Sequence, residues 1–347
     1  MNTQTLMGWY AAMLCTMLSL STDAQDIHYA HLAAVPTQTN PAYTGLMEGR
    51  ARVGIDYRGQ WNNFTTGFRT ASFSADMKAW QSREDIIGIG VHLNNDIAGD
   101  LNFTSQQVSV NSSFMKGLDG GKTFLSFGIQ NIFNSQRIDW SEARAFSYEP
   151  LESLESGGQR KFWDVGFGMA FFNKPNRRLS WFAGMAGAHL NNPDVTFLGD
   201  NDNSLGDRLY RKWTIHSGAE IHFGRFNSIR PSLIYLAQGP NRQLKVGSFW
   251  RYKTDNGLSS DAQIAVHFGG YLRSYLTTDD AGVDAVIFAA RFDYHMTVIT
   301  ISFDTNISSL TTATNGFGGP EFSLVQSFDW GSRNRKSRPV KCPTFQY

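Results

Sequence analysis

Between residues 87 and 93 the chain alternates strictly. Ile87, Ile89, Val91 and Leu93 share one parity, while Gly88, Gly90 and His92 share the other. Residues 213–223 repeat the pattern: Trp213, Ile215, Ala219, Ile221 and Phe223 stand against Thr214, His216, Gly218, Glu220 and His222, with Ser217 the one break. Successive side chains of a β-strand face opposite sides, so each stretch reads as a strand with one apolar and one polar face. The pattern recurs from residue 50 to residue 330, with little helical periodicity. It predicts an all-β chain and, behind an export signal, a barrel whose apolar face meets lipid and whose polar face is enclosed.

Composition separates this from a soluble β-sandwich array, which could also alternate. Aromatic residues make up 14% of the 347 and charged residues 18%, against about 25% charged in soluble domains. A lipid-facing wall excludes charge and its rims favour aromatics. Mean hydropathy is still −0.31, as expected if half of each strand is polar.

The N-terminus reads as a secretory signal over residues 1–24. Trp9–Leu20 is a run of apolar and small residues, and Thr22-Asp23-Ala24 precedes Gln25. The run is shorter than the roughly 20 residues a spanning helix needs, and no Lys or Arg occurs before Arg50. Cys15 would leave with the signal, so Cys342 has no internal partner. A disulfide is then excluded, and a closed ring of strand hydrogen bonds is the expected source of stability.

Residues 25–49 are short and irregular, with Pro36 and Pro41. Strand candidates follow at 50–58, 70–78, 86–94, 106–115, 123–132, 162–172, 178–190, 211–223, 229–237, 243–252, 261–269, 283–295, 296–305 and 321–330. This predicts a single transmembrane antiparallel β-barrel of about 14 strands. The segments 178–190 and 243–252 alternate poorly. Ala79–Asp85 and Lys174–Arg177 are short connections; Asp139–Lys161 and Asn191–Tyr210 are long and polar. Outer-membrane barrels keep short turns in the periplasm, so an even strand count puts both ends there. Residues 331–347 form a basic tail carrying Arg333, Arg335, Lys336, Arg338 and Lys341 and no acid, which suits an acidic surface. Lipid headgroups are one such surface.

Three segments carry a family resemblance: Asn40-Pro41-Ala42-Tyr43-Thr44-Gly45 before the first strand, Tyr57-Arg58-Gly59-Gln60-Trp61 at its end, and Lys341-Cys342-Pro343-Thr344-Phe345 near the C-terminus. In this order, at both ends of an alternating β protein, they resemble the PorP/SprF family of the type IX secretion system of Bacteroidetes. Thr344 and the added Gln346-Tyr347 depart from the usual closing segment. The resemblance implies a Gram-negative outer-membrane barrel serving protein secretion or gliding motility. Its implied partners are periplasmic ring components, the large translocon barrel, and secreted cargo with a C-terminal sorting domain, besides outer-membrane lipid. Candidate docking residues are Asn40, Pro41, Tyr43, Gly45, Tyr57, Arg58, Gln60, Trp61, Arg335, Lys336, Lys341, Cys342 and Pro343. Pro41 restricts Asn40 and Gly45 permits a tight turn, which suits a segment folded under or into the barrel mouth. Tyr57 and Trp61 fit the outer lipid–water interface.

Catalytic and metal chemistry find little support. No Gly-x-Ser-x-Gly elbow is present, so the expectation is a non-enzyme with no cofactor, no metal and no nucleic-acid partner. His216, Glu220 and His222 share a strand face. Positions two apart on one face lie about 6.5–7 Å from each other, so His216 and Glu220 are too distant for one ion. His28 and His31 lie in irregular chain, and Gly316-Phe317-Gly318-Gly319 lacks the strand–helix context of a phosphate loop. Arg52, Arg58, His92, Gln130, His216, Glu220 and Arg291 are candidates to fill the lumen. The competing functions are a passive porin or hydrophobic-solute channel, and a barrel hydrolase.

Overall fold

A computed structural model describes residues 36–60, 67–82, 84–99, 102–138, 158–195, 208–255, 263–277, 281–308 and 316–330. The signal, Trp61, most of the two long connections and the basic tail with Arg335, Lys336, Lys341, Cys342 and Pro343 lie outside the described residues. After one helical turn, α1 (Pro36–Thr39), and a 3-10 turn (Pro41–Tyr43), every further element among the described residues is a strand. The strands are β1 (Ala51–Gln60), β2 (Phe68–Ser82), β3 (Asp85–Ala98), β4 (Phe103–Leu118), β5 (Thr123–Arg137), β6 (Gln159–Asn173) and β7 (Leu179–Ala188). They continue as β8 (Lys212–Phe223), β9 (Asn227–Gln238), β10 (Asn241–Asp255), β11 (Gln263–Leu276), β12 (Ala281–Tyr294), β13 (Thr297–Asn306) and β14 (Phe317–Phe328).

Each strand pairs antiparallel with its neighbour, and β14 returns to β1 through the register Ala51↔Phe328 to Arg58↔Glu321, closing a 14-stranded barrel. Closure leaves no edge in lipid. Every expected strand is present, but most run further than alternation indicated: 106–115 becomes Phe103–Leu118, for example. Ladder bonds continue beyond the hydrocarbon, where side-chain polarity no longer has to alternate. The poorly alternating 178–190 shortens to Leu179–Ala188.

The start of β1, the end of β14 and the β2–β3, β4–β5, β6–β7, β8–β9 and β12–β13 turns lie on one rim, here the terminal rim. The strand ends joined by the β5–β6 and β7–β8 connections lie on the other, as does the short turn 239–240. Short turns mark the periplasmic side of such barrels. The outer face carries Ile89, Val91, Val110, Ile129 and Ile301 towards mid-height. Trp181, Phe223, Trp250, Tyr252 and Tyr294 lie towards the terminal rim, and Phe133 and Trp163 towards the other. That distribution is a lipid band between aromatic belts.

Candidate functional site

The inner face is not an open bore. The segment that precedes β1 lies inside the barrel, against the wall of β2–β8, a few residues in from the terminal rim. Its shape follows from its sequence. Asn40 is extended (φ −155°) and caps the 3-10 turn, its Oδ1 accepting from Ala42 N at 2.9 Å. Pro41 is pre-set for the first position. Thr44 Oγ1 closes the turn on Pro41 O at 2.8 Å. Gly45 then takes φ +73°, a left-handed backbone that favours glycine.

The wall receives this segment through polar groups on successive strands. Asn40 Nδ2 donates to Met169 O (β6, 3.0 Å) and Met185 O (β7, 3.2 Å) and contacts His216 Nε2 (β8, 3.1 Å). An amide nitrogen has two hydrogens and no acceptor capacity, so Nε2 faces it without a proton and shares one of those hydrogens with a carbonyl. His216 Nδ1 then carries the proton and donates to Tyr43 Oη at 3.1 Å. Ser126 (β5) donates to Ala42 O at 2.7 Å and Ser113 (β4) to Thr44 O at 2.6 Å. Gly45 N donates to Asp76 Oδ2 (β2) at 2.7 Å, and the same carboxylate takes Arg52 Nη2 at 2.8 Å. Asn40 is 0% and Tyr43 2% exposed. Tyr43 packs on Phe172 at 5.6 Å, in one cluster with Ala42, Leu46, Ile86, Met115, Phe124 and Phe182.

Glycines make the room. A Cβ on Gly88 would collide with the Thr44 carbonyl, one on Gly128 with the Pro41–Ala42 peptide, and one on Gly168 with the Asn40 side-chain oxygen. Gly184 likewise leaves space for the His216 ring. These lumen-facing positions on β3, β5, β6 and β7 form a lane without side chains.

Away from the plug the inner wall divides. On β3–β5 it is mostly uncharged: His92, Asn94, Ser109, Asn111, Gln130 and Asn134 are all buried. On β8–β14 and β1 it is charged, and most of these groups pair with one another, buried Asp56 being an exception. Glu220 Oε1 takes Ser228 Oγ, Arg230 Nη2 and Arg251 Nη1 at 2.9, 3.0 and 3.1 Å. Asp293 takes His267 Nε2 at 3.0 Å and Arg291 Nε at 2.6 Å. Asp304 Oδ2 takes Arg58 Nη2 at 2.8 Å and Arg273 Nη1 at 3.1 Å. Charge-assisted bonds of this kind are among the stronger ones.

The sequence candidates separate accordingly. Arg52, Arg58, His92, Gln130, His216, Glu220 and Arg291 all face inward. His216 and Glu220 serve different neighbours, the plug and two arginines, and do not converge; among the described residues no group of three or more His, Cys, Asp or Glu could hold a metal. Asn40, Pro41, Tyr43 and Gly45 come together, but buried in the lumen, so in this conformation they face the wall and not an external partner. Tyr57 faces lipid and Arg58 is sealed against Asp304, so these two do not form one surface. Gln60 ends β1 at the far rim. The glycine lane with Ser113 and Ser126 escaped sequence reasoning. Its signal was the small residues on the inward parity, of which Gly88 and Gly90 were visible.

No curated protein matches the chain. Among solved structures, the toluene transporter TodX of Pseudomonas putida matches with a TM-score of 0.50 at 10% identity, covering 87% of this chain and 98% of that one. The toluene transporter TbuX of Ralstonia pickettii gives 0.47 at 11% identity, covering 85% and 94%. At such identities the likeness concerns the barrel fold alone. The family of type IX secretion system membrane proteins PorP/SprF matches residues 21–318. With that match over most of its length, this outer-membrane barrel belongs to the PorP/SprF family of the type IX secretion system.

Proposed function

We propose that the protein is a non-enzymatic docking component of the secretion system. It is exported by a cleaved signal over residues 1–24. It supports secretion or surface attachment of cargo bearing a C-terminal sorting domain, gliding adhesins included. It engages periplasmic ring components and the large translocon barrel through the tail 331–347. The observation that supports this over a passive porin is the occupied lumen. The chain's own Asn40–Gly45 segment sits in it, and its ionised groups bind one another, leaving no field of one sign to select a solute. What the barrel offers is then its rims, its loops and its tail.

Deletion of 333–347 tests the reading. The barrel should still assemble, shown by its heat-modifiable migration, while cargo secretion and co-purification of the machinery are lost. Replacing the five basic tail residues with Gln separates charge from the Lys341–Phe345 motif. Normal secretion by the truncated protein refutes the docking role. Large steady conductance of the wild-type barrel in planar bilayers would favour the porin or hydrophobic-solute channel.

A further inference from the structure

We propose that the terminal rim carries a binding site for anionic phospholipid headgroups, in the sector from the β6–β7 turn to the β8–β9 turn. Lys174, Arg177 and Arg178 are exposed on the first turn, 174–178, and Arg225 on the second, 224–226. Neither turn contains an acid. The other described parts of this rim balance their charge. The β2–β3 turn carries Glu84 next to Asp85, which pairs with Lys116 at 2.7 Å. The β4–β5 turn sets Asp119 against Lys122, and Glu48 and Asp329 flank Arg50 where the chain enters and leaves. Positive charge is therefore concentrated on one side. The nearby Glu220 does not offset it, being committed inward to Arg230 and Arg251.

Placement favours lipid over a soluble partner. The rings of Phe171 and Trp181, 5.2 Å apart on the outer face, flank the first turn. Arg225 lies over Phe226 at 5.3 Å, and that ring continues through Tyr252 at 6.3 Å to Trp250 at 6.2 Å. Trp181, Trp250 and Tyr252 are exposed towards the bilayer. Amphipathic rings sit at headgroup level, so the guanidinium stacked on this ladder is held at the height of lipid phosphates. The first turn is also fixed. Asn176 Oδ1 accepts from the backbone N–H of Arg178 at 2.8 Å and of Leu179 at 2.9 Å, and Arg178 O accepts from His222 N at 2.8 Å. Three arginine forks and one lysine ammonium suit phosphate oxygens. The sector lies across the ring from the β1–β14 seam, and none of its residues belongs to the tail.

The test uses the full-length protein in neutral detergent micelles doped with phosphatidylethanolamine or phosphatidylglycerol, and counts retained lipids by native mass spectrometry. Wild type should retain phosphatidylglycerol preferentially. Each basic residue near a charged surface is worth about fivefold, so Lys174→Gln, Arg177→Gln, Arg178→Gln and Arg225→Gln together should lower retention at least about tenfold. A control with Arg50, Lys78, Lys116 and Lys122 changed to Gln, equal in charge on the same rim, should lose far less. Heat-modifiable migration shows that each barrel is folded. Equal retention of the two lipids by wild type, an equal loss in the control, or displacement by inorganic phosphate at matched concentration would each overturn the site.

Discussion

His216 is the side chain through which the wall holds the plug twice, so its removal should loosen the plug without opening the barrel. His216→Ala deletes the contacts to Asn40 Nδ2 and Tyr43 Oη, both 3.1 Å, and the ring that packs on Tyr43 at 5.3 Å. Each hydrogen bond contributes about 0.5–1.5 kcal/mol net, and more when a buried group is left without that partner. Truncating a buried ring adds a cavity penalty, and large-to-small core changes cost about 2–5 kcal/mol altogether. The ladder bonds of β8 to β7 and β9 are backbone bonds and survive. The assay places a thiol at Thr44→Cys, buried at 2% exposure, with Cys15 and Cys342 changed to Ser, and measures its rate of maleimide labelling in the folded barrel. If labelling needs the plug to unseat, the rate should rise between about thirtyfold and a few thousandfold, at tenfold per 1.4 kcal/mol. His216→Gln, with a donor and an acceptor, should recover part of the protection. Equally slow labelling of wild type and His216→Ala in intact barrels would refute the anchoring argument.

Four further outcomes follow from the same geometry. Lys at Ile129, near the middle of β5, should cost assembly about 2–4 kcal/mol, whereas Lys at Ile221, two residues from the β8 end, should cost about 1 kcal/mol or less; the yield of heat-modifiable barrel reads both. Arg58→Gln leaves buried Asp304 with less of its pairing and should lower unfolding stability in denaturant by about 3–5 kcal/mol. Asn111 is buried with neither side-chain polar atom partnered, so Asn111→Leu should leave thermal stability unchanged or raise it; a clear loss counts against that reading. Gly168→Leu cannot coexist with seated Asn40, and should give rapid Thr44→Cys labelling in a barrel that still migrates as folded.

The barrel was legible because lipid imposes a rule on every crossing strand. Ile89, Val91 and Leu93 could not be spared from the outer face, so period-two alternation survived in the sequence. It faded where that rule stops. On β7, Ala183, Gly184, Ala186 and Gly187 are small on both parities, and this segment is a strand because β6 and β8 pair with it through Phe167↔Gly187 and Leu179↔Ile221. The Asn40–Gly45 motif announced a turn under or into the barrel mouth, but not the seat that holds it. Its seat is built from Gly88, Gly128 and Gly168, about forty residues apart in the chain, which share one lane only after the strands are in register. Likewise His216 could be placed on the polar face from its parity, but its two partners lie more than 170 residues upstream.

The lumen divides its work between two arcs of wall. All described hydrogen bonds from the plug go to β1, β2 and β4–β8. The ion pairs lie mainly on the other arc, and three of them skip a strand: Arg58 on β1 reaches Asp304 on β13 past β14, Arg273 on β11 reaches the same carboxylate past β12, and Arg251 on β10 reaches Glu220 past β9. An ion pair that skips a strand fixes local curvature, because the two side chains meet only when the wall bends to the right radius. Arg58–Asp304 does so next to the closing pair β1–β14, where the last ladder must form. Loss of an anchor on the plug arc should therefore leave the barrel closed and change only lumen access. Loss of Arg58 should weaken closure while leaving the plug's own contacts in place. Measuring labelling and unfolding on both variants separates the two arcs, and similar profiles for His216→Ala and Arg58→Gln would show that plug and wall form one cooperative unit instead.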